Sequence, residues 1–149
     1  AIYIPLSDDM KEQEVQKYWN QCYPKSPFKT MEEKGYPQIL HDAEFLIKIA
    51  YHACYKDMGK YYLVGNNYIH PNFRGMGLFL ESREIRKNLL VDKPIIGVLQ
   101  PIENTHEQHI IDVITRNDCY IVKDYSDVQD IMDENIYQEI KSHTLVRYF

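Results

Sequence analysis

The chain has no apolar run near the ~20 residues a membrane-spanning helix needs, so no membrane role is expected. It holds only three cysteines, Cys22, Cys54 and Cys119, with no CxxC and no Cys/His metal spacing. That excludes a disulfide framework and a zinc ribbon, and leaves three buried free thiols in a reducing compartment as the expectation. The opening Ala1-Ile2-Tyr3-Ile4-Pro5-Leu6 lacks the basic n-region and apolar core of a secretory leader, which points to a cytoplasmic location. An excess of positive charge is also missing. The formal net charge is −5, which argues against general nucleic-acid affinity, because such proteins release counterions with a basic face. Arg83, Arg86 and Lys87 form a short basic cluster interspersed with acids, read as a solvated helix face. Two phosphate loops are absent as well: there is no GxxxxGK[ST], and no GxGxxG followed by a ribose-binding acid.

What is present describes an ordinary globular chain. Hydrophobic residues make up 44% and charged residues 26% of the 149 positions, a balance that excludes disorder. At this length one domain, residues 1–149, is expected, with roughly two-thirds of the unfolded surface buried. Thirteen tyrosines suit half-buried strands and pocket walls.

Along the chain, Ile2-Tyr3-Ile4 reads as a short first strand ended by Pro5. Ser7-Asp8-Asp9 offers an N-cap and two acids for a helix whose stripe is Val15, Tyr18, Trp19 and Cys22, ended by Pro24 and Pro27. A short helix is expected at Thr30-Met31-Glu32-Glu33, stopped at Gly35-Tyr36-Pro37. Residues 39–55 fit two patterns: a helix with the stripe Leu46, Ile49, Ala50, Ala53 and Cys54, or strands rich in aromatic and β-branched residues. A turn at 56–60 leads to a strand over 61–69, where Gly65 suggests a bulge. A helix follows over 78–90, with Leu78, Ser82, Ile85 and Leu89 on one side. Pro94 to Leu99 is a continuous apolar run, as in a strand covered on both faces. A helix is expected over 105–117, a strand at Cys119–Val122, a helix from Ser126, and a last strand over 145–149.

Chemistry concentrates in Tyr68-Ile69-His70-Pro71-Asn72-Phe73-Arg74-Gly75-Met76-Gly77-Leu78. A strand enters a turn with two glycines that opens directly into a helix. Glycines permit positive φ and clear side chains from a ligand's path. The first helical turn presents unpaired N–H groups at the positive end of the dipole, a seat for phosphate or pyrophosphate. Arg74 can add a charge-assisted contact. A connector that binds nothing fits the loop equally well on these grounds alone.

The loop resembles motif A of the GNAT N-acetyltransferases: a β-branched residue, any residue, Pro, two residues, then Arg/Gln-x-x-Gly-x-Gly/Ala. The order of elements after it agrees, so the resemblance covers residues 61–124. It implies an α/β fold with a mixed, mostly antiparallel sheet of six to seven strands flanked by helices, and it favours strands for 39–55. It implies acetyl-CoA as cofactor and transfer of its acetyl group to a primary amine, of a small molecule or a protein. Ile69 and His70 would run beside the pantetheine arm, with strands 61–69 and 94–100 splayed to admit the thioester. The amides of Arg74, Gly75, Met76, Gly77, Leu78 and Phe79 would hold the pyrophosphate, and Asn104 would contact the cofactor. Phe79 departs from the small residue usual at its place, and no tyrosine stands where the family places its general acid.

For the chemistry itself, a backbone N–H at Asn67 or Tyr68 could polarise the carbonyl, and His70, with an ordinary pKa near ~6.5, could act as base. A histidine before proline is somewhat more often a surface residue. Tyr51, His52, Asn66 and Tyr68 are candidates for the acceptor side, each taken alone being more often core. His106 and His109 have a spacing that metal sites use but no third ligand, and Asp127, Asp130, Asp133 and Glu134 read as a solvated helix. No metal is expected. The negative charge mildly favours a cationic acceptor, an expectation that fails if the acceptor mouth is basic. A homodimer stays open. The alternatives are a non-catalytic CoA- or acyl-CoA-binding module, and an α/β domain used for protein contacts with no cofactor.

Overall fold

The computed structural model describes residues 7–25, 27–48, 50–99, 109, 112 and 119–148. By contacts the chain falls into two compact units, residues 1–56 with 65–91, and 57–64 with 92–149. The division falls inside two strands, those over Tyr51–Asp57 and Tyr62–Ile69.

In the first unit the strands are β1 (Ser7–Met10), β2 (Glu44–Lys48), β3 (Tyr51–Asp57) and the second half of β4 (Tyr62–Ile69), in that spatial order. β2 and β3 form an antiparallel hairpin in register from Glu44↔Tyr55 to Lys48↔Tyr51. The strand reading of 39–55 therefore holds. Phe45, Leu46 and Ile47 are all buried, so no polar alternation marks the strand, and an apolar run without alternation imitates a helix. Ala50 closes the hairpin at φ +67, a left-handed conformation that costs a non-glycine residue roughly 1 kcal/mol.

The expected helix start at Ser7 is a strand. Ser7 pairs with Ile47 and Met10 with Phe45, with a register shift between, and this edge pairing takes the backbone a helix would have used. Helix α1 (Glu12–Cys22) begins after Lys11, whose N–H donates to the Glu14 carboxylate at 3.4 Å. Val15 and Trp19 are buried, whereas Tyr18 faces out. Residues 30–35 make a single turn closed by Lys34 N–H on Thr30 O, followed by a 3₁₀ turn at Gln38–Leu40, in place of the expected helix. The expected strand at Ile2–Ile4 lies outside the described residues.

Helix α2 (Leu78–Leu89) buries an unexpected face. Ser82, Arg83 and Arg86 point inward, with Arg83 3% and Arg86 6% exposed, while Leu80 and Leu89 face solvent. The solvated reading of the basic cluster is thus wrong for both arginines. Burial raises the pKa values of Cys54, Tyr36 and Tyr51, and the Arg86 charge offsets that rise in part at each. Long arginine stems can fill a core face as well as leucines when polar groups meet the guanidinium. In β4 the positive φ falls at Asn66 rather than at Gly65.

In the second unit the order is β4, β5 (Ile95–Leu99), β7 (Thr144–Tyr148) and β6 (Cys119–Ile121). β4 and β5 are parallel over Tyr62↔Ile95 to Val64↔Gly97, and the other pairs are antiparallel. The sheet is therefore mixed and mostly antiparallel, with seven strands among the described residues. Ile95 to Val98 are buried on both faces. At Gly97 a side chain would meet Val146 Cγ2 at 2.8 Å, which is why the position is glycine.

The helix expected from Ser126 is only a 3₁₀ turn, Tyr125–Asp127, capped by Asp124; helix α3 spans Glu134–Ile140. The acidic run is solvated at Asp130, Asp133 and Glu134 as expected, but it is not one helix, since Asp127 ends the 3₁₀ turn and only Glu134 lies in α3. Asp127 accepts from Lys123 N–H at 2.8 Å, and Asp130 forms a two-point pair with Arg147 at 2.6 and 2.8 Å. Of the helix expected over 105–117, only His109 and Asp112 are described, both helical and exposed. Among the described residues no helix is long and apolar enough to cross a membrane.

Candidate functional site

The glycine loop lies wholly within the first unit. β4 ends at Ile69, Pro71–Phe73 form a 3₁₀ turn, and Arg74 returns to extended backbone at φ −75. Gly75 and Gly77 follow at φ +80 and +78, a conformation L side chains avoid, and a Cβ at either would meet nothing within 4 Å. The glycines are needed for handedness, and the space beside them is open. Gly77 is the N-cap of α2 and no side chain among the described residues caps the helix; its carbonyl accepts from Glu81 N–H at 3.2 Å. The amides of Leu78, Phe79 and Leu80 therefore point outward without an internal acceptor, at the positive end of a twelve-residue helix. Arg74 is exposed; its Nε donates to the Ile69 carbonyl at 3.1 Å, and its guanidinium lies 5.5 Å from the Tyr68 ring. Met76 is 67% exposed. Asn104 lies outside the described residues.

His70 is buried, at 5% exposure, which overturns the surface reading. Its N–H donates to Ala50 O at 2.7 Å, and its ring stacks on Tyr23 with centroids 4.3 Å apart. Nδ1 accepts from the Asn72 N–H at 3.2 Å, so the network assigns the ring proton to Nε2. Burial, and then the Arg74 charge, pull its pKa below the usual histidine value. The ring's one lone pair is engaged. To take a proton, His70 must release Asn72.

Beside the loop is a cavity of about 270 Å³, small for a ligand site, where ~300–1,000 Å³ is usual. Trp19, Phe28 and Tyr68 wall it, His52 backs it, and Lys34 and Lys29 supply charge. Trp19 meets His52 and Tyr68 edge-on at 5.3 and 5.8 Å, and His52 stacks on Tyr68 at 5.6 Å. The Lys34 ammonium sits over the faces of Tyr68, at 4.8 Å, and Phe28, at 5.5 Å, and donates to Asn66 Oδ1 at 2.7 Å. Burial lowers the Lys34 pKa to about 8, with Glu12 opposing from a distance. His52 is fully buried, and its pKa lies well below the usual value through burial and the Lys34 charge. The Asn66 backbone offsets this slightly, yet neither ring nitrogen has a partner of hydrogen-bonding geometry.

Of the expected acceptor residues, the fold brings His52, Asn66 and Tyr68 to this cavity or its edge. Tyr51 is buried in the core, where burial raises its pKa to about 12. Asn67 is half-buried, and its side-chain oxygen has no partner among the described residues. Trp19, Phe28, Lys34 and Tyr23 were not picked out by the sequence reading. In the sequence Trp19 stands out only as part of a helix stripe, and Lys34 falls unremarked between the expected short helix at 30–33 and its stop at Gly35. No group of three or more metal-binding side chains occurs among the described residues.

No protein-family model matches the chain, and no curated protein matches it in sequence. Among solved structures it is similar to a candidate acetyltransferase of the GNAT family from Bacteroides thetaiotaomicron, with a TM-score of 0.57 and 15% identity. The match covers 97% of this chain and 86% of that one. At that identity the likeness establishes the fold, and the chain has the α/β fold of that protein.

Proposed function

We propose that the chain is a GNAT-type N-acyltransferase that moves an acetyl group from acetyl-CoA to a primary amine. The observation that carries the reading is the pair Gly75 and Gly77, both left-handed and open, directly ahead of the uncapped start of α2. That cradle fits a pyrophosphate, and the fold shared with a GNAT-family protein puts it in the right kind of scaffold. The residues that would hold the cofactor are Ile69 and His70 beside the pantetheine arm and the amides from Arg74 to Phe79, with Asn104 as a further contact.

Bound acetyl-CoA would supply the activated acetyl thioester. The chain's own part is to orient the amine, exclude water and offer an N–H at Asn67 or Tyr68 to the developing oxyanion. The aromatic cavity provides the dry wall. The Lys34 charge and the burial that keeps His52 neutral disfavour a further positive charge nearby, which helps keep an incoming amine unprotonated.

One observation favours the runner-up, a CoA-binding module without turnover: the His70 lone pair is committed to Asn72. A single experiment separates the readings. Acetyl-CoA at ~100 times its dissociation constant should stabilise the fold by about 2.7 kcal/mol, a rise of several degrees in Tm. Arg74→Ala should weaken that rise and Gly77→Val should abolish it. A saturable rise with thiol release in an amine panel supports the enzyme, and a rise without release supports the module. No rise at millimolar acetyl-CoA or CoA would sink both.

A further inference from the structure

The cavity walled by Trp19, Phe28 and Tyr68 has the look of a seat for a cation, since aromatic faces attract one. That seat is taken by the chain itself. The Lys34 ammonium already lies over both Tyr68 and Phe28. A second lysine, Lys29, lines the same cavity, and among the described residues no carboxylate lines it. Glu12, the acid whose charge favours protonated Lys34, is committed to the Met31 N–H at 2.7 Å. Lys34 itself forms no ion pair with a carboxylate among the described residues, and its hydrogen bond to Asn66 Oδ1 uses one of three ammonium protons.

Glu12 offsets the cost of the half-buried ammonium only from a distance, and an anion arriving beside Lys34 would offset more of it. The cavity is basic although the chain is acidic, so an argument from net charge to a cationic guest does not extend to it.

We propose that this cavity takes a small guest with an apolar, flat body and a carboxylate, the carboxylate held by Lys34 with Lys29 and the body packed against Trp19 and Phe28. Calling that guest the amine acceptor, an amino-acid-like molecule, rests on the acyltransferase reading. The preference for an anionic guest does not. A polyamine or a lysine side chain would meet two ammonium groups and an occupied aromatic seat.

Trp19 is the sole tryptophan and walls the cavity, so its fluorescence reports occupancy without acetyl-CoA. The test titrates wild type with phenylalanine and with phenethylamine, which differ only in the carboxylate, and repeats both with Lys34→Met and Lys34→Arg. A charge-assisted hydrogen bond is worth ~1.5–3 kcal/mol, so phenylalanine should bind about tenfold or more tighter. Lys34→Met should bring the ratio to about one, and Lys34→Arg should retain most of it. The proposal is overturned if phenethylamine binds as tightly, if the ratio survives Lys34→Met, or if neither compound perturbs Trp19 at roughly 10 mM, weaker than any useful ligand. If phenylalanine binds but acetyl-CoA gives no thermal shift, the acyltransferase reading falls and the anionic cavity stands.

Discussion

The main-chain N–H of His70 donates to the carbonyl of Ala50 at 2.7 Å, and Ala50 holds φ at +67. The hairpin that closes β2 and β3 is thereby tied to the start of the glycine loop through a residue in a strained conformation. Ala50→Gly relieves that strain, of roughly 1–2 kcal/mol, while adding chain entropy to the unfolded state. The expected net gain is about 0.5–1 kcal/mol, read as a higher midpoint in urea with an unchanged slope. A lower midpoint would mean that the Ala50 methyl packs more than it strains.

Gly97→Ala should have the opposite sign. Its Cβ would stand 2.8 Å from Val146 Cγ2 and 3.3 Å from the Tyr148 ring. Overpacking of this kind costs typically about 1–3 kcal/mol, visible as a drop in Tm. An unchanged Tm would show that β7 can shift by several tenths of an ångström without penalty.

His52 makes the fold sensitive to acid. Its folded pKa is lowered, so below about pH 6.5 the unfolded chain binds a proton that the folded chain refuses. Stability is intact above that value and lost as pH falls through it, and His70 adds to the slope in the same direction. His52→Phe should flatten the fall in Tm between pH 7 and 5. A wild-type Tm constant over that range would contradict the burial of both rings.

Lys34 works at the other end of the scale. With a folded pKa of about 8 against an unfolded value of 10.5, the folded chain binds fewer protons between those limits. Stability from this residue therefore rises with pH across that window, and below pH 8 its penalty is constant. Lys34→Met should be more stable than wild type at pH 7, with the gap closing above pH 10. The tyrosines with raised pKa values erode both proteins alike there, so the difference between the two is the quantity to measure.

His70 can be tested by its pH profile. With Nδ1 on Asn72, His70→Gln should reduce kcat/KM modestly, by about tenfold or less, and leave the shape of the profile unchanged. A loss of a hundredfold or more, with disappearance of an inflection below pH 6.5, would give His70 the base's role.

The loop was legible in the sequence because glycine and proline act locally: Pro71, Gly75 and Gly77 set backbone geometry where they stand. Strands β4, β5, β6 and β7 were legible too, from apolar runs such as Ile95–Leu99, whereas β1 reads as a helix start and β2 with β3 fits a helical stripe as well as strands. What failed was inference from residue type to face. On α2, leucine suggested inside and arginine outside, yet Arg83 and Arg86 are buried and Leu89 is not. The acidic run at 127–134 misled in another way: it is solvated at Asp130 but is not one helix, and Asp130 answers to Arg147 seventeen residues on. The cavity was illegible for a simpler reason. Residues 19, 28, 34, 52 and 68 meet only through tertiary packing, and no spacing along the chain announces them.

An ammonium with a pKa of about 8 is also a chemical handle. At pH 7.5 a far larger share of Lys34 than of an ordinary exposed lysine would carry a free amine. Amine-directed labels applied briefly at that pH should mark it ahead of the more exposed lysines wherever access permits. An occupant of the cavity would shield it, so the mass of one tryptic peptide would serve as a footprint of the bound state.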